Sequence, residues 1–211
     1  MRVAKLVLAV GISAVVGCGG SGGSDGGTTN PPPATVATVT INRSSAMVKP
    51  TESVTLTATA KSSAGATING RTVTWNNSNS SVTSMTTNGA SATVTGSVLG
   101  TSSITATVDQ VSSSPTLVTV TNSFPSSASI TVGAGGQNVF DPAQADVASG
   151  ATVTFSWNNA LHNVTWDNAP SGAANSGDKS SGTFQVTINT TGTFNYHCSI
   201  HAGMSGSITV H

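Results

Sequence analysis

The chain has 211 residues, only 7% of them charged and 4% aromatic, and a formal net charge of zero. So few cations exclude nucleic acid as a partner, because neutralising phosphates takes a cluster of lysines and arginines. The length suffices for one large domain or two ordinary ones, each burying its own core.

Residues 1–17 read as an export signal. Arg2 and Lys5 lead into the apolar run from Leu6 to Val16, and eleven residues are too few to span a bilayer as a helix. The stretch Val15-Val16-Gly17-Cys18 resembles a bacterial lipobox. That resemblance implies cleavage after Gly17 and a lipid thioether on Cys18, so that the exported chain is anchored to the cell envelope, on its periplasmic side or at the surface. Removing residues 1–17 leaves five basic against seven acidic side chains, a formal charge of −2 with histidines neutral.

Residues 18–34 are expected to be the anchor and a flexible linker. Glycine and serine make a coil, Pro31-Pro32-Pro33 stiffens its exit, and the tether from 19 to 34 spans about 20–24 Å by flexible-chain scaling. Cysteine usage fits export. Cys18 and Cys198 are the only two cysteines. With Cys18 lipidated no intramolecular disulfide is expected, and a lone thiol in an oxidising compartment is best explained by metal ligation.

Residues 35–121 alternate apolar residues with Thr or Ser, the period of half-buried strands. Expected strands are 36–41, 53–58, 72–75, 91–94, 103–108 and 117–120, with turns at Asn69-Gly70 and Asn88-Gly89. This pattern predicts a β-sandwich. It resembles the bacterial Ig-like family called group 2, through Val73-Thr74-Trp75-Asn76-Asn77-Ser78-Asn79, Gly96 with Gly100, Ile104-Thr105-Ala106 and Val118-Thr119-Val120. The family usually has Gly before its second strand, where this chain reads Pro50-Thr51-Glu52-Ser53. Such modules serve as spacers or in adhesins. The segment has no His or Cys, and Trp75 takes the place of a core residue, so a spacer is the preferred reading.

From residue 122 the texture changes. All four histidines lie beyond residue 160, and strands are expected at 129–132, 139–140, 151–157, 163–166, 183–188, 193–198 and 207–210. Period two turns Phe194, Tyr196 and Cys198 inward and His197 outward. The stretch Tyr196-His197-Cys198-Ser199-Ile200-His201-Ala202-Gly203-Met204 gathers thiolate, imidazole and thioether in one loop, and His162 lies 36 residues before Cys198. A His2Cys plane with a weak axial Met suits copper, and changes little when an electron arrives or leaves. Structural zinc would want a fourth strong ligand, which Met204 is not.

Residues 128–211 resemble the cupredoxins, in particular the plastocyanin and amicyanin group. The resemblance rests on Phe140-Asp141-Pro142, Gly150-Ala151-Thr152-Val153, Trp157-Asn158-Asn159, His162-Asn163-Val164 and the loop from Tyr196 to Met204 running into Ser205-Gly206-Ser207-Ile208-Thr209-Val210. It implies a Greek-key sandwich with one mononuclear type 1 copper, cycling between Cu(I) and Cu(II), on His162, Cys198, His201 and Met204. Both histidines would bind through Nδ1. Asn163 would tie the ligand loops together, with its amide directed at the cysteine sulfur. The Cys-x2-His-x2-Met spacing is amicyanin-like and lacks proline, which leaves the backbone around His201 less restrained. His197 is expected to be an outward strand residue and His211 a frayed terminus.

Enzymatic readings fail on counts. Only His197 and His211 remain for further coppers, Cys198 is alone in its loop, and no nucleophile–base or paired-carboxylate set stands out. The expectation is an all-β chain of two sandwiches: a signal at 1–17, anchor and linker at 18–34, an Ig-like domain at 35–121 and a blue copper domain at 122–211. It would be monomeric and would carry single electrons between a protein donor and a protein acceptor outside the cytoplasm. Two alternatives stand beside it. One is a module for copper storage, delivery or resistance. The other is a surface adhesin acting through the Ig-like domain.

Overall fold

Alternation of Val with Thr is carried into space as strands with one apolar face. The computed structural model describes residues 34–211; the expected signal, Cys18 and the linker as far as Pro33 lie outside the described residues. In its first half the chain forms β1 (Thr38–Ile41), β2 (Ser45–Val48), β3 (Ser53–Lys61), β4 (Thr74–Asn77) and β5 (Thr83–Asn88). There follow β6 (Ser91–Gly96), β7 (Gly100–Val108), β8 (Val111–Ser112) and β9 (Thr116–Val120). One sheet has the order β1-β3-β6-β5, and the other β2-β9-β7-β4 with β8 on β7. Along β3, Leu56, Ala58 and Ala60 are buried while Thr55 and Thr57 face solvent. The two sheets close over Leu56, Val94, Ile104 and Val118, with Trp75 packed against this core.

The second half forms β10 (Ser127–Val132), β11 (Phe140–Asp141), β12 (Gln144–Val147) and β13 (Ala151–Trp157). It continues with β14 (Thr165–Trp166), β15 (Thr183–Ile188), β16 (Gly192–His197) and β17 (Ser205–Val210). Its sheets run β11-β10-β13-β15 and β12-β17-β16-β14. Ala151, Val153, Phe155 and Trp157 alternate inward on β13. Around Phe155 the rings of Tyr196, Trp166 and Phe140 meet edge to face, with centroids 5.2, 6.2 and 6.5 Å from its own. Each such ring buries 150–250 Å², so this cluster dominates the core.

Four strands were not legible as strands. Ser45–Val48 pairs in parallel with β9, and Gln144–Val147 in parallel with β17. Both are four-residue segments whose pairing comes from a strand 60 or more residues away. Thr83–Asn88 is a polar strand on β6, and Val111–Ser112 a short return on β7. The turn before β3 places Thr51 at φ 71°, a left-handed conformation that glycine takes without steric cost.

His211 corrects the expectation of a frayed end. Its amide donates to Val147 O, its ring stacks on Phe124 with centroids 3.9 Å apart, and its side chain is 8% exposed. Nδ1 lies 3.1 Å from Glu52 Oε2 and Nε2 3.5 Å from Asp146 Oδ1. Asp146 in turn accepts from Arg43, at 2.6 Å, and from the Met47 amide. A seam between the two sandwiches is therefore closed by polar contacts, with Arg43 of the first half on Asp146 of the second and Glu52 of the first beside His211 of the second. Burial works against ionisation of Glu52. The Lys49 amide, His211 and the Lys49 ammonium together outweigh it and hold the carboxyl below its ordinary 4.5.

Candidate metal centre

The site begins with the backbone of His162. Its carbonyl accepts the Trp157 indole N–H at 2.9 Å and the Lys179 amide at 2.9 Å, while its own amide donates to Lys179 O. One bond thus ties the residue to the end of β13 and two pair it with Lys179. The ring packs on Gly133, where φ is 77° and an added Cβ would fall 2.8 Å from Nε2. Glycine is needed here twice over, for the turn and for the room. The imidazole is 1% exposed. Burial first, and the nearby His201 second, pull its pKa below 6.5, and a neutral imidazole is the form that ligates metals.

Cys198 follows β16 directly and His201 lies in the turn beyond it. The turn closes on itself, with Cys198 N donating to Met204 O at 2.9 Å, His201 N to Cys198 O and Met204 N to His201 O, each at 3.3 Å. These bonds supply restraint that a proline would otherwise have given. Cys198 and Met204 are 3% and 2% exposed and belong to the same core as Tyr196 and Phe155. His201 is half-buried.

His162, Cys198 and His201 converge, and they form the metal-competent cluster found among the described residues. The two Nδ1 atoms are 3.0 Å apart, and Cys198 Sγ lies 3.8 Å from His162 Nδ1 and 3.5 Å from His201 Nδ1. A point in the plane of that triangle is about 2 Å from all three atoms, the length of a metal–imidazole bond. Two nitrogens, one sulfur and a neighbouring buried thioether are the donor set of a type 1 copper site. The residues fit the metal by both size and chemistry.

Asn163 sits where the sequence placed it. Its backbone amide points at Cys198 Sγ, 3.5 Å away, and its side-chain Oδ1 accepts the Ser199 amide at 2.9 Å. The surroundings of that side chain were not foreseen. Nδ2 donates to Asp178 Oδ1 and to Ser199 Oγ, each at 2.8 Å, and Thr165 Oγ1 donates to Oδ1 at 3.3 Å. No local pattern announces Asp178, which stands fifteen residues away in an irregular segment. His197 does face outward, paired with Asp167 at 2.6 Å.

Comparison with known proteins agrees with this geometry. Residues 127–211 match the family described as copper binding proteins, plastocyanin/azurin family. Chloroplastic plastocyanin of Oryza sativa subsp. indica is 39% identical over 88 residues, a match covering 36% of this chain and 57% of that protein. The chain thus spans little more than half the length of that relative. Among solved structures, pseudoazurin from Sinorhizobium meliltoi is 29% identical, with 40% of this chain and 73% of that one covered and a TM-score of 0.35. A mutant plastocyanin of fern is 27% identical, with 39% and 99% covered and a TM-score of 0.34. Residues 127–211 are thus similar to copper-binding proteins of the plastocyanin type, and their His-Cys-His cluster fits a type 1 copper site.

Proposed function

We propose that this domain carries single electrons through one mononuclear type 1 copper held by His162, Cys198, His201 and Met204. The observation that supports it best is the triangle of donor atoms with edges of 3.0, 3.5 and 3.8 Å. Bound copper would supply a one-electron couple at neutral pH.

The chain's own residues supply what makes such a couple fast. Trp157 and Lys179 hold His162 by its backbone, and the turn from Cys198 to Met204 is closed by three backbone bonds. A ligand shell fixed from both sides resists rearrangement when charge changes. The Asn163 amide, directed at Cys198 Sγ, withdraws charge from the thiolate and favours the reduced state. His201, half-buried and followed by exposed Ala202 and Gly203, is where a partner's redox centre comes nearest.

In the same reading Cys18 is the lipid anchor at the cell envelope, residues 35–121 an Ig-like spacer, and the partners a protein donor and a protein acceptor meeting a monomer. Adding one equivalent of Cu(II) to the purified chain tests the electron carrier. An intense blue thiolate-to-copper band with a reversible voltammetric wave supports it. A colourless adduct, or copper released on reduction, points instead to copper storage or delivery.

A further inference from the structure

Resting on the copper reading above, we propose that Asp178 is a positioning residue, acting through Asn163 to hold the Cys198–Met204 turn against the His162 segment. Residues 174–179 lie along that segment as a strap. The His162 and Lys179 backbones bond in both directions, Ser176 exchanges bonds with Val164, and Asn175 Oδ1 accepts the Trp166 amide. Asp178 is the member of the strap that reaches past the backbone to a side chain.

A primary amide has two N–H donors and an oxygen with two lone pairs. All four positions on Asn163 are filled, by Asp178 and Ser199 Oγ on nitrogen and by the Ser199 amide and Thr165 on oxygen. Three of those partners are on the ligand turn or next to Asn163 in sequence; Asp178 alone ties the amide to the strap. Without it one N–H of a buried residue loses its acceptor. The amide is then held only from Ser199 and Thr165, and any rotation takes Oδ1 away from the Ser199 amide beside Cys198. Asp178 is itself exposed, so its bond is at the weaker end of the range and its replacement leaves the core intact.

The test uses Asp178→Ala and Asp178→Asn in the full chain, with hydrogen exchange at the Ser199 amide read in the metal-free protein. Exchange in D178A is expected to speed up about fivefold, the effect of one modest hydrogen bond. D178N keeps an acceptor at this place and is expected to stay within about twofold of wild type. After loading with Cu(II), release of copper to a chelator should follow the same order. An unchanged Ser199 rate in D178A overturns the proposal, and so does equal acceleration in both variants, since the acceptor would then not matter. If wild type takes up no copper at all, the electron-carrier reading fails, while the exchange rates still decide the role of Asp178.

Discussion

The Nδ1 atoms of His162 and His201 face each other at 3.0 Å although 39 residues separate them in sequence. At this distance the two nitrogens can both ligate one metal ion with bonds of about 2 Å. Cys198 Sγ, at 3.8 and 3.5 Å, completes the enclosure.

Cys198→Ser should abolish the blue band while leaving the fold in place. Serine keeps the volume nearly unchanged but offers no thiolate to donate charge to copper. Visible spectra after one equivalent of Cu(II), with circular dichroism as the fold control, decide it. A blue band surviving in this variant would remove Cys198 from the site.

Gly133→Ala should damage stability and copper binding together. The added methyl meets Nε2 and Cδ2 of His162 at 2.8 and 2.9 Å, at a φ of 77°. Overpacking of this kind costs about 1–3 kcal/mol, and the buried ring has to shift to relieve it. Thermal melting and chelator competition measure the two effects; a variant equal to wild type in both would contradict the contact.

Tyr196→Phe should stabilise the protein. The Tyr196 hydroxyl is buried without a hydrogen-bond partner, and burial pushes its pKa far above the ordinary 10.0. Removing an unsatisfied hydroxyl returns about 1 kcal/mol, a rise in Tm of about 2–4 °C in a chain of this size. A fall in Tm would mean that the hydroxyl is bonded in solution.

Glu52→Gln should remove part of the acid sensitivity. The folded pKa of Glu52 lies below 4.5, so the unfolded chain takes up its proton first as pH falls. The stability this group contributes is complete above 4.5 and is lost as pH drops through the folded value. Wild type should therefore exceed E52Q in Tm at about pH 7, and the difference should vanish in acid. A constant difference across that range would show that the ionised form of Glu52 does not matter.

Short-range order was legible and long-range partnership was not. Alternation alone located Ala151–Trp157 and Thr183–Ile188 to the residue, and put Tyr196 inward with His197 outward. It located neither β2 nor β12, because four residues flanked by turns carry too little period to read. The donor residues were recognisable because thiolate, imidazole and thioether are rare types gathered in one loop. Asp178 and His211 were not, because aspartate and histidine are unremarkable alone and their partners, Asn163 and Glu52, lie 15 and 159 residues away. His211 reads as a loose end until the stacking ring of Phe124 is beside it.

Strand β17 also serves as a ruler. Met204 precedes its first residue and His211 follows its last. Six residues of extended chain reach about 20 Å, so the donor atoms and the charged seam occupy opposite poles of one sandwich. Whatever the seam grips, the other pole is left open to visitors. Substitutions at Arg43, Glu52 or Asp146 are thereby insulated from the sulfur and imidazole chemistry, and the two ends of the domain can be altered one at a time.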